Sequence, residues 1–570
     1  MNKITHPHPR PGGFGGQANP PHITRGGHAS PLIRGDKPAR FALRSKAGGR
    51  GVLYSIQKEI IENSIRSQIK DKTALQKIKR QVLKKTGGPF PRDLDLLKTY
   101  RSLLAQKKIK RNLTLENLLT TRPVRTLSGI AAITVLTKPY KCHGKCIYCP
   151  QEKGMPKSYL KNEPAAQRAY LTHFDPSLQV KTRLTSLALT GHNTEKIELI
   201  ILGGSFAAYP KVYQRVFIQR CIEMLNEQKS HSLAQAQRRN ESACHRLVGM
   251  SIEVRPDEVN LKNLKWWRTL GVTRVEIGVQ SLDDDILKKC QRGHTVNAVT
   301  SATKSLKDWG FKVAYHLMPN LPGSTVQKDF AMFETLFSDP RFQPDQIKIY
   351  PLVVLKTAPL YKIWKTGHFQ PYSSRTLTQL LTKIKKIVPP YVRIIRLIRD
   401  IPETSIIAGN KITNLRQILK QNNTQCHCIR CREAKTKSLG KIYFHLLKYS
   451  ASFGTEYYLS SENKNQTTLY AHLRLRFPSP KSTFSDYAII REVHTYGQVA
   501  SLQTQNQSVT QHRGLGKRLI QKAENLAYEN GYKKIMVIAG IGVRGYYRKL
   551  GYRLGRYGYM EKSLKIKMKN

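Results

Sequence analysis

Cys142-His-Gly-Lys-Cys146-Ile-Tyr-Cys149-Pro150 sets three thiols on one short loop, directly after a strand-like run over 127–137. Thiolates spaced C-x3-C-x2-C can hold three irons of a four-iron, four-sulfur cluster and leave the fourth iron open. Bacterial ferredoxin loops supply a further Cys to complete the set. None follows nearby here, so the open iron would be free to bind a substrate or cofactor. A zinc site or three buried thiols are the plainer alternatives. The strand-like run just upstream favours the cluster.

The chain around this loop alternates. Strand-like runs cover 130–136, 197–202, 247–254, 274–279, 312–318 and 346–354, with helical stretches such as 212–227, 261–270, 284–290 and 296–309 between them. Six βα units at this spacing imply a parallel, curved sheet, a partial (β/α)6 barrel within an α/β multidomain chain. In such barrels catalytic groups follow the C-terminal ends of the strands. The cysteine loop obeys that rule.

With 570 residues the chain needs two to four domains. Its 97 Lys and Arg stand against 37 Asp and Glu, a formal charge of +60. Such an excess calls for a polyanionic partner or an anionic surface. Residues 1–50 hold nine Gly, seven Pro, nine Lys or Arg and one acid, Asp36. They cannot bury a core and read as a disordered basic arm for nucleic acid. Residues 51–120 read as helical, with Ile60, Ile61, Ile65, Ile69, Leu75, Ile78, Val82 and Leu83 on one face. Lys70, Lys72, Lys77, Lys79, Arg80, Lys84 and Lys85 decorate the rest. No apolar run approaches the ~18–20 residues of a membrane span. Six of the nine Cys fall in two tight clusters, which favours metal over disulfides and a reducing, cytoplasmic setting.

After residue 400 the pattern changes. Cys426, Cys428 and Cys431 read as a zinc site at a domain junction. Zinc takes four ligands, and the fourth stays open among His427, His316 and His445. Strand-like runs then cover 443–449, 456–459, 469–477 and 488–494, followed by a helix over 514–530 and a strand over 534–538. Gln511-His-Arg-Gly514-Leu-Gly516-Lys517 opens that helix. A glycine-rich turn at a helix start exposes backbone N–H groups and the positive dipole end, a cradle for a pyrophosphate. The order strand, glycine-rich turn, helix, strand is the core of the acetyl-CoA-binding GNAT fold. Tyr546 and Tyr547 follow the last of these strands, where that fold places a residue near the thioester. The expected domains are thus the arm (1–50), a basic helical region for nucleic acid (51–120), the partial barrel (121–405), a zinc-binding linker (406–437) and a GNAT-like domain (438–570).

Together these residues resemble one family closely: the catalytic subunit of Elongator, in the single-chain form found in bacteria and archaea. The likeness includes T-K-P-Y-K-C-H-G-K-C-I-Y-C-P, L-G-G-S-F, S-I-E-V-R-P-D, E-I-G-V-Q-S, Y-H-L-M-P-N-L-P-G-S, C-H-C-I-R-C-R-E, R-E-V-H-T-Y-G and Y-Y-R-K-L-G-Y. Gly545 and Tyr557-Gly558-Tyr559-Met560 depart from the family pattern. The resemblance implies a radical S-adenosylmethionine enzyme with tRNA as substrate. Its product would be a carboxymethyl group on C5 of the wobble uridine. A 5′-deoxyadenosyl radical would take hydrogen from the methyl of acetyl-CoA, the carbon radical would add to C5, and thioester hydrolysis would follow.

By position, the resemblance makes Cys142, Cys146 and Cys149 cluster ligands and aligns Gly203 and Gly204 with the loop holding the cofactor's amino-acid end. It makes Glu253, Gln280 and Arg292 polar cofactor contacts. Lys196, Glu492, Val493, His494, Thr495, Leu515, Gly516, Lys517 and Tyr547 match positions associated with acetyl-CoA, with Tyr546, Tyr547 and Lys196 as catalytic candidates. The rival reading is a protein lysine acetyltransferase with the barrel as scaffold. The electron donor, a homodimer and the choice of tRNA stay open.

Overall fold

The computed structural model describes residues 48–120, 126, 128–422, 424–435, 440–497 and 514–565. The chain divides into two compact units, residues 1–55 and 56–570. Both seven-stranded sheets and all the candidate site residues lie in the second. Residues 1–47 of the basic arm and Gln511-His-Arg lie outside the described residues.

Helices Lys72–Thr86, Asp93–Ala105 and Leu113–Leu119 follow a first helix ending at Arg66. The Asp71 carboxylate accepts from Ala74 N at 2.9 Å and starts one of them; Gly87, at φ 69°, ends it. Their apolar faces meet in a small core of their own, including Ile60, Ile61, Leu75, Leu97, Tyr100 and Leu119. Lys79 departs from the expected basic surface. It is buried, and its ammonium donates to Asp93 Oδ1 at 2.7 Å and Pro91 O at 3.0 Å. Lys77, Arg80, Lys84 and Lys85 are exposed.

The barrel strands are β1 (Ile130–Leu136), β2 (Lys196–Leu202), β3 (Arg246–Val254), β4 (Arg274–Gln280), β5 (Lys312–Leu317) and β6 (Gln346–Ile349). They are followed by β7 (Val354–Leu355), β8 (Arg393–Arg396) and β9 (Ile406–Ala408). Strands β1 to β6 and then β8 pair in order, all parallel. The sheet is therefore the expected half-barrel with a seventh strand, β8, added at its edge. The run over 346–354 breaks into β6 and β7, and β7 pairs with β9 instead. Side-chain caps from Asp175, Asn260, Asp283, Thr295 and Thr325 start the crossover helices. Among the described residues no helix is long and apolar enough to cross a membrane.

The second sheet holds β10 (Tyr443–Ala451), β11 (Gly454–Glu462), β12 (Leu469–Phe477), β13 (Tyr487–Thr495), β14 (Lys534–Val537), β15 (Arg553–Leu554) and β16 (Met560–Ser563). Its order is β10-β11-β12-β13-β14-β16-β15. Only β13 and β14 run parallel, and they pair over Tyr487–Ile490 alone. Beyond Ile490 the two strands part, after one last bond from Ile538 N to Ile490 O at 3.1 Å.

One face of this sheet docks on the barrel at the N-terminal ends of its strands. Lys312, which opens β5, pairs with Glu492. Asp345, just before β6, takes Arg491 at 2.5 Å and Arg474 at 3.5 Å. Asp308 takes Arg476 at 2.5 Å. Gly540 and Gly542 lie flat on β3, where an added Cβ would sit 2.1 Å from Val248 O and 2.5 Å from Arg246 Cβ. The cysteine loop occupies the opposite ends of the same strands. An extended seven-residue strand such as β2 spans roughly 20 Å, which sets the scale of that separation.

Candidate active site

The loop after β1 carries the three thiols. Cys146 is buried, while Cys142 and Cys149 are half-buried. Gly144 lets the loop fold under Arg255; a Cβ there would lie 2.6 Å from Arg255 Nη1. The Arg292 guanidinium reaches Cys146 Sγ at 3.7 Å and donates to Gly278 O at 2.6 Å. A hydrogen bond from Cys149 and the positive charge of Arg292 hold the Cys146 thiol below its ordinary value, against its burial. Four buried polar atoms around this mouth have no hydrogen-bond partner among the described residues: Tyr148 Oη, Arg255 Nη1, Gln280 Oε1 and Arg292 Nε. Buried polar groups are normally paired. A cluster-bound polar cofactor would satisfy such a ring, and three thiols on one loop are the right donors for a cluster.

Gly203 and Gly204 lie just past β2, beside Thr137 and Lys157 of the segment that follows β1. Gly203 holds φ 127°, and a Cβ on it would lie 2.0 Å from Thr137 Oγ1. Both the backbone conformation and the space exclude any side chain there. Gln280 sits at φ 71°, a left-handed conformation for a non-glycine residue at the end of β4.

Glu253 lies deeper, inside the barrel. It accepts from Tyr159 Oη at 2.7 Å and faces Lys348 Nζ at 3.7 Å and His316 Nε2 at 3.9 Å. Glu276 joins them, taking His316 Nε2 at 2.8 Å and the Lys348 ammonium. These carboxylates and His316 converge within 4.8 Å, but Lys348 already supplies the cation between them. His316 is therefore committed to the barrel interior and is removed from the zinc candidates.

Cys426, Cys428 and Cys431 bring their sulfurs within 4.8 Å of one another, and no histidine joins that group among the described residues. Sulfurs around one tetrahedral zinc lie roughly 4 Å apart, so the spacing fits. The segment bridges the two sheets. Ile429 N donates to Val392 O at 3.0 Å, Arg432 Nη2 to Pro390 O at 2.7 Å, and Ala434 N to Leu469 O at 2.8 Å.

In the second sheet several expected acetyl-CoA residues meet. Gly514, at φ 73°, caps the helix Leu515–Glu529. A Cβ on Gly516 would lie 3.5 Å from Tyr546 Oη, 3.8 Å from Val493 Cγ1 and 3.9 Å from Thr495 Cγ2. The bare first turn thus faces β13 at the stretch where β13 has left β14. Tyr546 is part-exposed, whereas Tyr547 is buried against Tyr546 and Tyr552, and burial pushes its hydroxyl well above the usual range. Glu492 points its side chain to Lys312 and Arg474 at the barrel, and His494 stacks near His472 and Tyr496. Lys196 opens β2 at the barrel's N-terminal end, in register with Arg246, and burial lowers its pKa. Since Arg246 lies under Gly542, Lys196 shares a barrel end with the Tyr546 helix and not with the cysteine loop. Leu515 is buried in the same first turn, and Lys517 follows it.

Sequence reasoning missed Arg255, Tyr148 and Tyr159. Arg255 stood within S-I-E-V-R-P-D, but nothing in that run says that it would lean over Gly144.

A model of the radical SAM superfamily matches residues 137–334, and one of the radical SAM C-terminal domain matches residues 344–424. A protein of Methanocaldococcus infernus named tRNA uridine(34) acetyltransferase is 42% identical over 518 residues, covering 85% of this chain and 95% of that one. Human Elongator complex protein 3 is 36% identical over 526 residues, covering 86% and 93%. The solved structure of the archaeal Methanocaldococcus infernus Elp3 with an N-terminal deletion (1–46) superposes with a TM-score of 0.68 at 40% identity. It covers 77% of this chain and all of that one.

Proposed function

We propose that this chain, which belongs to the family of the tRNA uridine(34) acetyltransferases and Elongator complex protein 3, makes 5-carboxymethyluridine at the tRNA wobble position from acetyl-CoA. The observation that carries the proposal is the ring of orphaned polar atoms around a three-thiol loop, in a chain that also holds a bare helix start beneath Tyr546. Uridine C5 is a poor nucleophile and an acetyl methyl a poor acid, so joining them calls for radical chemistry. When bound, a four-iron cluster on Cys142, Cys146 and Cys149 with S-adenosylmethionine supplies the 5′-deoxyadenosyl radical for that purpose.

The chain's own residues bind and orient. Gly203 and Gly204 offer backbone without side chains to the cofactor's amino-acid end. Arg292 and Gln280 direct unpaired polar atoms at the mouth. Glu253, held by Tyr159, is the deeper polar contact. In the second sheet the N–H groups of Leu515, Gly516 and Lys517 receive the pyrophosphate at the positive helix end. The open edge of β13 from Glu492 to Thr495 receives the pantetheine arm. Tyr546 and Tyr547 orient the thioester, and Lys196 lies at the same barrel end, so the acetyl group has to cross the length of a barrel strand, roughly 20 Å, to meet the radical. A zinc ion on Cys426, Cys428 and Cys431 would fasten the two sheets.

The test incubates reduced, reconstituted enzyme with S-adenosylmethionine, acetyl-CoA and a tRNA with wobble uridine, followed by nucleoside analysis. Carboxymethyluridine at the wobble position is the expected product. Acetyl-lysine on protein without modified uridine would overturn the proposal in favour of the lysine acetyltransferase.

A further inference from the structure

Beside the cysteine loop stands a stack of aromatic rings that the reaction itself does not use. Tyr140 lies 4.8 Å from Tyr209 with 29° between their planes, Tyr209 lies 4.9 Å from Tyr213 at 22°, and Phe217 follows at 5.8 Å. The inner rings are fixed. Tyr209 is 4% exposed; its hydroxyl accepts from Thr137 Oγ1 at 2.8 Å and donates to Lys138 O at 2.6 Å. The Tyr213 hydroxyl accepts from Lys138 N at 3.1 Å. The outermost ring differs: Tyr140 is 43% exposed. It is a flat ring backed by a rigid one, two residues before Cys142.

Its surroundings are cationic. Lys138, Lys141, His143 and Lys145 are exposed on the same loop, and no acid occurs from Thr137 to Gln151. The Lys138 ammonium lies 5.2 Å over the Tyr213 ring. An exposed aromatic face ringed by cations is how proteins hold unpaired nucleobases: the ring stacks on the base while the cations track the backbone. An apolar peptide would gain nothing from the lysines, and a simple phosphate would gain nothing from the ring.

We infer that Tyr140 is a stacking platform for an unpaired nucleobase neighbouring the one that reacts at the cysteine mouth. This rests on the proposed tRNA reading. Tyr140 thereby positions the loop of the RNA and takes no part in the chemistry.

The test uses the full chain and an anticodon stem-loop RNA with 2-aminopurine beside the wobble uridine, with a loopless duplex as control. The wild type should prefer the stem-loop and quench the probe. Tyr140→Ala should bind about 5- to 150-fold more weakly, the effect of removing one stacking partner, and leave the bound probe bright. The slope of affinity against salt should stay unchanged, because every phosphate partner is still in place. Tyr140→Trp should restore both affinity and quenching. Wild-type affinity and quenching in Tyr140→Ala, or a weaker binding accompanied by a flattened salt slope, would overturn the platform and leave the tRNA reading standing. A wild-type chain that does not distinguish stem-loop from duplex would overturn both.

Discussion

Asp345→Asn tests whether the junction between the two sheets is held by a closed set of buried charges. Asp345 is fully buried. Its carboxylate accepts from Val313 N at 2.8 Å and from Arg491 at 3.0 and 2.5 Å, with Arg474 at 3.5 Å and Lys307 at 4.0 Å. Around it Asp308, Asp345, Glu456 and Glu492 face Lys307, Lys312, Arg474, Arg476 and Arg491, an inner set of four acids against five bases, with the more exposed Lys304 on Asp308 at its edge. Asparagine keeps an acceptor for Val313 N but removes the charge, which leaves three acids against five bases. Breaking a buried pair by removing one partner costs about 3–5 kcal/mol, because the remaining charge is stranded. For a cooperative unit of about 150–250 residues, 1 kcal/mol shifts the midpoint by roughly 2–4 °C. The expected fall is therefore on the order of 10 °C.

Trp309 provides the readout. Its ring, in the barrel, lies 5.1 Å from Phe484 and 5.4 Å from Tyr557 of the second sheet, so its fluorescence follows their separation during thermal unfolding. The pH dependence follows from the sign of the shift. Burial pushes the Asp345 carboxyl up, but Arg491, Lys307 and Arg474 overcome this and hold it well below the usual carboxylate range. A depressed carboxylate contributes its stability above its unfolded pKa of about 3.9, and that contribution is lost as pH falls toward the folded value. The difference between wild type and variant should be flat from neutral to mildly acidic pH and shrink in stronger acid. Arg491→Met combined with Asp345→Asn should cost less than the sum of the two. Additive costs, or a variant within about 1 kcal/mol of wild type, a small effect for a buried charge, would refute the reasoning.

Anaerobic reconstitution should give about four irons and matching visible absorbance per chain, and Cys146→Ala should abolish both; unchanged iron content in the variant would remove the cluster from this loop. Neutralising the exposed Lys77, Arg80, Lys84 and Lys85 should weaken tRNA binding and lower its salt slope by roughly 0.7–0.9 for each phosphate that is no longer neutralised. Lys79 is left intact, since it holds Asp93 in the fold. Equal slopes measured by filter binding would clear this helix of a role.

Features carried by a single short segment were legible from residue order. The three thiols proposed to hold the cluster share one loop, and Gly514 and Gly516 open one helix, so spacing alone exposes both. The alternation of strand and helix revealed the half-barrel, because hydrophobic periodicity is a property of each segment. It did not reveal β8, whose four residues 393–396 read Arg-Ile-Ile-Arg, without a period-two alternation, behind two prolines. The short β15 and β16 escaped it too.

Which distant groups meet was settled by packing. Gly203 must be glycine because Thr137 stands against it. The second sheet docks at the strand ends opposite the cysteine loop, so Lys196 shares its barrel end with the helix of the tyrosine pair and not with that loop. Lys79 reads in sequence as one cation of a basic face, yet it is buried against Asp93, and Lys307 and Lys348 are likewise buried against acids far along the chain, Glu456 and Glu276. A charge is written in the sequence, but its partner is chosen by the fold. Whether a lysine faces RNA or closes a buried ion pair depends on chain segments that no local pattern connects.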